Sequence, residues 1–476
     1  MTIYILVNGD CKSWAFGLEI AYKYTKISAD IKILDLSNIM SFRASSLRKK
    51  SFSRIFVKER NINYFKSSFF SIHRVTAFRR ALEATFKYKH SKILELNRNI
   101  EGKINHNAIV HCALSQFFGT ANYSKSEIPL WILVRYSFRS YLSEQVIESV
   151  TFKKQDVLYV FNGRKIIESV CIQQALNSGV QVKITERASS PDKFEIYNTS
   201  PHFHPEWWEK ITNYSRTIHP NNSVIRDKAD KYIENKLKGF DSFTNNKWEE
   251  FYYSQDNFLS MPDKPYVVFL STSSFEFSPI SEYNSTLGYA SQDEAVVALK
   301  TICRELNYPL VIRRHPNSLS PFNGKDYDDR HWQKFSDSNT LIIGPKDKVN
   351  TLNLSKNSRV VFAWRSSVGI ETLSLGIPTY ALGTAKWAWI NDVRAWDLDQ
   401  IRNAINQPKV GSPDILEAYN FYFSSGGTEL KLFKRVERWG VELNDGRVIY
   451  NKILERTWNK SAELLVKFGL VSPRNY

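Results

Sequence analysis

The stretch VVFAWRSSVGIETLSLGIPTYALG, residues 360–383, decides how the chain is read. Its first five residues are mostly apolar and stop at Arg365-Ser366-Ser367. An apolar-periodic run follows, ends at Gly376 and is punctuated by Pro378, and a second short apolar run closes the stretch. That pattern is strand, helix, strand. A strand that ends on small hydroxyl residues where a helix opens leaves backbone N–H groups free and adds the positive end of the helix dipole. Such a junction suits an anion, with Ser366 and Ser367 as hydrogen-bond donors and Arg365 as a formal charge. The plainer use of the same residues is a cap, with Ser366 or Ser367 at the N-cap and Glu371 answering it.

A second junction lies upstream, in VIRRHPNS at residues 311–318. An apolar strand runs into Arg313-Arg314-His315, and Pro316 stops the ladder and sets a turn. A histidine at a strand's carboxyl end can donate to a phosphate oxygen or protonate a leaving phosphate. The bland alternative is a histidine bonded to its own turn.

Working outward, YVVFLSTSS (residues 266–274) reads as the first strand of a C-terminal α/β series. An amphipathic helix follows from Ser291 to Asn307, and NTLIIG (residues 339–344) is a further strand. Ser273 and Ser274 close the first of these strands, and Gly344 closes the last. Each is a strand-end position that suits either a ligand contact or an ordinary turn. The first half repeats the grammar. IYILVNG (residues 3–9), a helix over Trp14 to Lys23 and ADIKILDLSN (residues 29–38) form a βαβ unit. AIVHCAL (residues 108–114), QDVLYVFNGR (155–164) and GVQVKITERAS (179–189) are expected to be further strands, with a helix closed by Gly179 between the last two. Residues 200–262 read as a mostly helical bridge, and the tail beyond residue 426 reads as helical. The expected division is 1–255, 256–425 and 426–476. Two doubly wound α/β domains facing a cleft would put their ligands at strand carboxyl ends. There the first half offers Asn8, Gly9 and Asp10, then Asn162, Gly163 and Arg164, then Glu186.

The formal net charge is +17. Residues 41–104 hold 16 Lys/Arg and 4 Asp/Glu, so 16 − 4 = +12 of it sits in one aromatic-rich segment. A basic insertion of this kind suits phosphate-rich surfaces, such as an anionic membrane or an acidic glycan, and its bland reading is a solvated helix face. No nucleic-acid motif accompanies it, so nucleic acid is not an expected partner. No run is long and apolar enough to span a membrane, and the N-terminus reads as a first strand rather than a leader. The four cysteines show no CxxC spacing, which argues against a zinc site or a disulfide framework and for a reducing, cytoplasmic setting. His202 and His204 are too isolated to suggest a metal.

Strand-HP followed by strand-SS-helix resembles the nucleotide-binding half of GT-B glycosyltransferases that build bacterial surface polysaccharides. Bacterial sialyltransferases carry an HP and a serine motif that hold CMP. Capsule polysaccharide biosynthesis proteins, Kdo transferases among them, carry the second motif as S-S-x-G-x-E-x-L-x-x-G-x-P, and Ser366 to Pro378 is similar to it at each fixed position. The resemblance covers about residues 265–395. It implies a metal-independent transferase with no bound cofactor, whose substrate is a nucleotide-sugar, a CMP-sugar foremost. The acceptor would be a surface polysaccharide or a lipid-linked glycan at the inner membrane face. His315, Ser366 and Ser367 would stabilise the departing phosphate, with Arg313, Arg314 or Arg365 adding charge. The acidic base motif of the sialyltransferases is absent, and Glu186 and Asp10 stand as candidate bases. Three other readings share the architecture: a teichoic-acid-type polyol-phosphate transferase, a sugar-nucleotide epimerase, and a non-catalytic glycan- or lipid-binding subunit.

Overall fold

A computed structural model describes residues 1–7, 11–25, 30–36, 62–66, 72–90, 103–187, 193–198, 204–217, 223–237, 262, 264–277, 288–320, 323–347, 349–388 and 391–411, and the short strands 429–430, 433–436, 440–443 and 448–450. Asn8, Gly9, Asp10 and His202 lie outside them, as do the side chain of His204 and much of the basic insertion.

Two sheets organise the chain. The first has seven strands in the order β12-β6-β5-β4-β1-β2-β3. They are β1 (Thr2–Val7), β2 (Asp30–Asp35), β3 (Ile62–Lys66), β4 (Val157–Phe161), β5 (Gln181–Arg187), β6 (Lys193–Tyr197) and β12 (Glu429–Leu430). β3-β2-β1-β4-β5 are parallel, and β6 and β12 extend the edge antiparallel. The second sheet is wholly parallel, in the order β11-β10-β7-β8-β9. Its strands are β7 (Val267–Leu270), β8 (Leu310–Arg313), β9 (Thr340–Ile343), β10 (Val360–Ala363) and β11 (Thr379–Ala381). Renumbered from its own first strand, each parallel set runs 3-2-1-4-5. Helices cover both faces, so the inner strands VLYVF, VVFL, LVIR and VVFA are buried at every residue. The protein is therefore a two-domain α/β protein of Rossmann-like sheets, the GT-B-like arrangement expected from the sequence.

Three expectations need correction. AIVHCAL is not a strand: it lies inside the helix His106–Phe118. Ala108, Ile109, Val110, His111, Cys112, Leu114, Ser115 and Phe118 are all buried there, so no polar face marks the helical period. Asn105 starts the helix by accepting the Ala108 N–H at 3.0 Å, and Gly119 ends it in the left-handed conformation at φ 76°. Second, the tail is not helical where it is described. β12 pairs with β6 of the first sheet, and Phe433–Val436, Gly440–Leu443 and Val448–Tyr450 form a three-stranded antiparallel sheet. Third, the basic insertion is not purely helical, because β3 from within it completes the first sheet beside β2. The bridge is helical as expected, over His204–Thr217 and Ser223–Leu237. Its Trp208 indole donates to the Ala385 carbonyl of the second domain at 3.0 Å.

Candidate active site

In a 3-2-1-4-5 sheet the strand order reverses between strands 1 and 4, and the crevice at their carboxyl ends receives ligands. In the second sheet that point lies between β7 and β10, which pair in register from Val267–Val360 to Leu270–Ala363. Ser271 to Ser274 follow β7, and Arg365, Ser366 and Ser367 follow β10. In the first sheet the point lies between β1 and β4. Asn162, Gly163 and Arg164 follow β4, and Glu186 ends the neighbouring β5.

The backbone is strained at both points. Asn162 (φ 63°) and Arg365 (φ 55°) take the left-handed conformation, and with Asn307 they are the non-glycine residues that do so among the described residues. An arginine there has no local steric excuse. It is held because Trp387, 1% exposed, donates its indole N–H to the Ser366 carbonyl at 2.9 Å. A Cβ on Gly369 would lie 2.1 Å from the same indole, which explains the glycine of the motif. The helix Val368–Ser374 then closes in a Schellman motif, with Ile377 N–H on the Thr372 carbonyl at 3.0 Å and Gly376 N–H on the Leu373 carbonyl at 2.9 Å. Ser367 stands at the N-cap, but its side chain makes no capping bond and it is exposed, so no Ser367–Glu371 capping box forms. Glu371 is buried in the helix, and the Arg365 guanidinium lies against the Trp364 ring, 5.5 Å from its centroid. Burial lowers the Arg365 pKa to about 10, which leaves it a partly desolvated cation at neutral pH.

His315 is positioned from both sides. Its backbone N–H donates to the Ser271 hydroxyl at 2.9 Å, and its Nδ1 accepts the Asn317 N–H at 3.0 Å. A ring that accepts at Nδ1 in the neutral form carries its proton on Nε2, so Nε2 is its donor. Ser273 is 0% exposed, and its hydroxyl has no hydrogen-bond partner among the described residues.

Arg313 and Arg314, candidate charges for a bound phosphate, are both buried and both donate to protein groups. Arg313 donates to the carbonyls of Gly344 and Asp347, and Gly344 N–H donates to Asp347 Oδ2 at 2.7 Å. Gly344 thus has its own backbone groups engaged in that turn. Arg314 grips Asp326 through two nitrogens, at 2.9 and 2.7 Å. Ser274, a candidate ligand contact, lies 3.2 Å from the Thr120 hydroxyl and accepts the Ala121 N–H at 3.0 Å.

On the first domain the structure joins three of the expected residues in a chain. Arg164 Nε donates to Asn162 Oδ1 at 2.8 Å, and Asn162 Nδ2 donates to Glu186 Oε2. One carboxylate oxygen is thereby oriented by an amide that an arginine polarises in turn. Across the sheet Glu195, directly opposite Glu186, is paired with Lys210 at 3.0 Å.

The helix His106–Phe118 and the residues just after it touch strand-end residues of both domains. Cys112 Sγ donates to the Arg164 carbonyl at 3.4 Å, and Gln116 Nε2 reaches the same oxygen at 3.5 Å. The far end of the helix supplies Thr120 and Ala121 to Ser274, and the Phe117 carbonyl accepts the Ser320 hydroxyl at 2.8 Å. Gly119 permits the junction, because a Cβ there would lie 2.6 Å from the Leu319 carbonyl oxygen. Burial lifts the Cys112 thiol to about 11, so it acts as an anchor and not a nucleophile. Trp387, Ser271 as the partner of His315, and this helix are the site features that sequence reasoning missed, and none carries a local motif.

Among the described residues no group of three His, Cys, Asp or Glu is placed to hold a metal ion, and no helix is long and apolar enough to cross a membrane.

No protein-family model and no curated protein matches the chain. Solved structures do. A beta Kdo 2,7 transferase, KpsC of Thermosulfurimonas dismutans, is 15% identical over 68% of this chain and 88% of that one, with a TM-score of 0.35. The beta Kdo 2,4 transferase of the same organism's KpsC is 12% identical over 56% and 78%, with a TM-score of 0.34. A UDP-GlcNAc 2-epimerase from Neisseria meningitidis bound to UDP-GlcNAc is 11% identical over 90% and 95%, with a TM-score of 0.23. Scores this low carry no argument, and the fold rests on the strand orders above.

Proposed function

We propose that the chain is a glycosyltransferase that moves a sugar from a nucleotide-activated donor, a CMP-sugar, to a growing surface polysaccharide or lipid-linked glycan at the cytoplasmic membrane face. The observation that carries this reading is the helix His106–Phe118, which with the residues just after it ties the carboxyl end of β4 to Ser274 past β7 and to Ser320 past the His-Pro turn. The donor phosphate sits at the second domain. His315 Nε2–H and the hydroxyls of Ser366 and Ser367 donate to its oxygens, and the Arg365 charge offsets the developing negative charge. The acceptor approaches from the first domain, where Glu186, held by Asn162, takes the proton of the attacking hydroxyl. The acceptor oxygen bonds the anomeric carbon as the bond from that carbon to the phosphate oxygen breaks, and the nucleotide leaves with the electron pair.

Thermal unfolding of the protein with CMP, CDP, UDP or GDP tests the reading, because a ligand that binds only the folded state raises apparent stability. CMP is expected to raise Tm in the wild type and to lose that effect in both His315→Ala and Ser367→Ala. No rise with any of the four removes the nucleotide site, and a rise retained in both variants removes the two motifs from it.

A further inference from the structure

The helix Ile72–His90, within the basic insertion, is built inside out. Its buried seam is small: Ala77 and Ala81 are 0% exposed, with Thr85 and Tyr88 completing the line. Four of its bulky apolar residues face water. Val75 is 72% exposed, Phe78 50%, Leu82 36% and Phe86 61%. At 100° per residue these four form one stripe about 17 Å long, roughly 110° round the helix from the seam. Arg79 borders the stripe and is exposed. An ordinary surface helix keeps the opposite order, with bulky apolar residues inward and charge outward.

A neighbouring helix extends the patch. Leu130–Ile147 packs against Ile72–His90, with Arg80 on Glu144 at 2.7 Å and Phe78 edge-on to Phe138 at 6.2 Å. Lys125, just before that helix, reaches the Tyr88 carbonyl at 3.1 Å, so the two helices run antiparallel. Leu130 and Trp131, 50% and 55% exposed, therefore come level with the Phe86 end of the stripe. Arg135, one turn beyond Trp131, is also exposed.

We infer that this two-helix face is a membrane-docking surface that lies in the headgroup region of an anionic bilayer. It deepens the proposed function, on whose membrane-borne acceptor it rests. Charge selects the occupant: the helix itself carries five Lys/Arg against one Asp/Glu, and residues 41–104 carry the +12 counted above. Basic residues beside a stripe of Phe, Leu and Trp match anionic headgroups above an acyl boundary. A second copy of the same face would meet it with like charge.

The test is cosedimentation of the full chain with vesicles of phosphatidylcholine alone or of equal parts phosphatidylcholine and phosphatidylglycerol. The wild type is expected to pellet with the mixed vesicles and to stay in solution with phosphatidylcholine. The double variant Val75→Asp/Phe86→Asp is expected to lose partitioning by about tenfold or more. Arg79→Glu, which leaves the stripe intact, is expected to weaken binding mainly at low salt. Circular dichroism and the CMP-induced Tm shift are read on the same variants. A double variant that keeps the Tm shift and loses the vesicles supports the surface. A wild type that ignores mixed vesicles while responding to CMP overturns the surface and leaves the glycosyltransferase reading standing. A double variant that still pellets like the wild type, or a wild-type dimer that the double variant converts to monomer, also overturns it.

Discussion

The Ser274 hydroxyl, four residues past β7 of the second domain, lies 3.2 Å from the Thr120 hydroxyl and accepts the Ala121 N–H of the first domain at 3.0 Å. This contact, with Ser320 on the Phe117 carbonyl and Asn122 on Asp328 at 3.0 Å, holds the carboxyl ends of the two sheets against one helix. Ser274→Ala removes the acceptor of a partly buried N–H and is expected to cost about 1 kcal/mol. Thermal unfolding and limited proteolysis between the domains would register it, and an unchanged Tm would show that the junction is held elsewhere.

Gly369→Ala places a methyl group into the indole of Trp387, which has no room to retreat at 1% exposure. Overpacking of this kind costs about 1–3 kcal/mol. Because the same indole holds the Ser366 carbonyl, the variant is expected to weaken the CMP-induced Tm shift as well as lower Tm. A variant with lowered Tm and a full shift would detach Trp387 from the site.

Arg365 separates stability from function. Its left-handed backbone costs an arginine about 1 kcal/mol or more that glycine does not pay. Arg365→Gly is therefore expected to leave Tm equal or higher while the nucleotide shift falls or vanishes. Loss of both together would make the residue structural.

Asn162→Ala frees the Glu186 carboxylate without removing it. Sugar transfer is expected to fall about tenfold in kcat with little change in KM for the donor, whereas Glu186→Gln is expected to lose 10²-fold or more, on the order of a missing general base. Equal activity in Glu186→Gln and wild type would exclude Glu186 as the base.

The His111 Nδ1 is hydrogen-bonded to the Tyr123 hydroxyl and lies 3.5 Å from the Tyr88 hydroxyl. Loss of hydration lowers its pKa to about 4, with the nearby Lys125 charge acting the same way. Unfolded, the ring titrates near about 6.5. Between those values the unfolded chain binds a proton that the folded chain excludes. Its stabilisation is whole above pH 6.5 and falls toward pH 4, by up to about 3 kcal/mol. Stability measured against pH in the wild type and His111→Gln should converge as pH falls through this window, and parallel profiles would refute the assignment.

The sequence by itself determined the elements whose local chemistry is self-contained. VVFL, VVFA and the first three residues of LVIR are continuous apolar runs followed within two residues by serine or arginine, the pattern of a strand buried on both faces. Gly376 and Pro378 announced the end of their helix because the left-handed conformation and the missing N–H are properties of those residues alone. The junctions at His315 and at Arg365-Ser366-Ser367 were legible for the same reason. Only the tertiary structure decided what surrounds them. AIVHCAL is apolar on nearly every side because it is packed from both domains, and burial all round erases the period that separates helix from strand. That Arg313 donates to the carbonyls of Gly344 and Asp347, and Arg314 to Asp326, follows from loops the local sequence does not place. The tail's return as β12 depends on a partner strand more than two hundred residues away, and edge pairing leaves little local mark in the strand that supplies it.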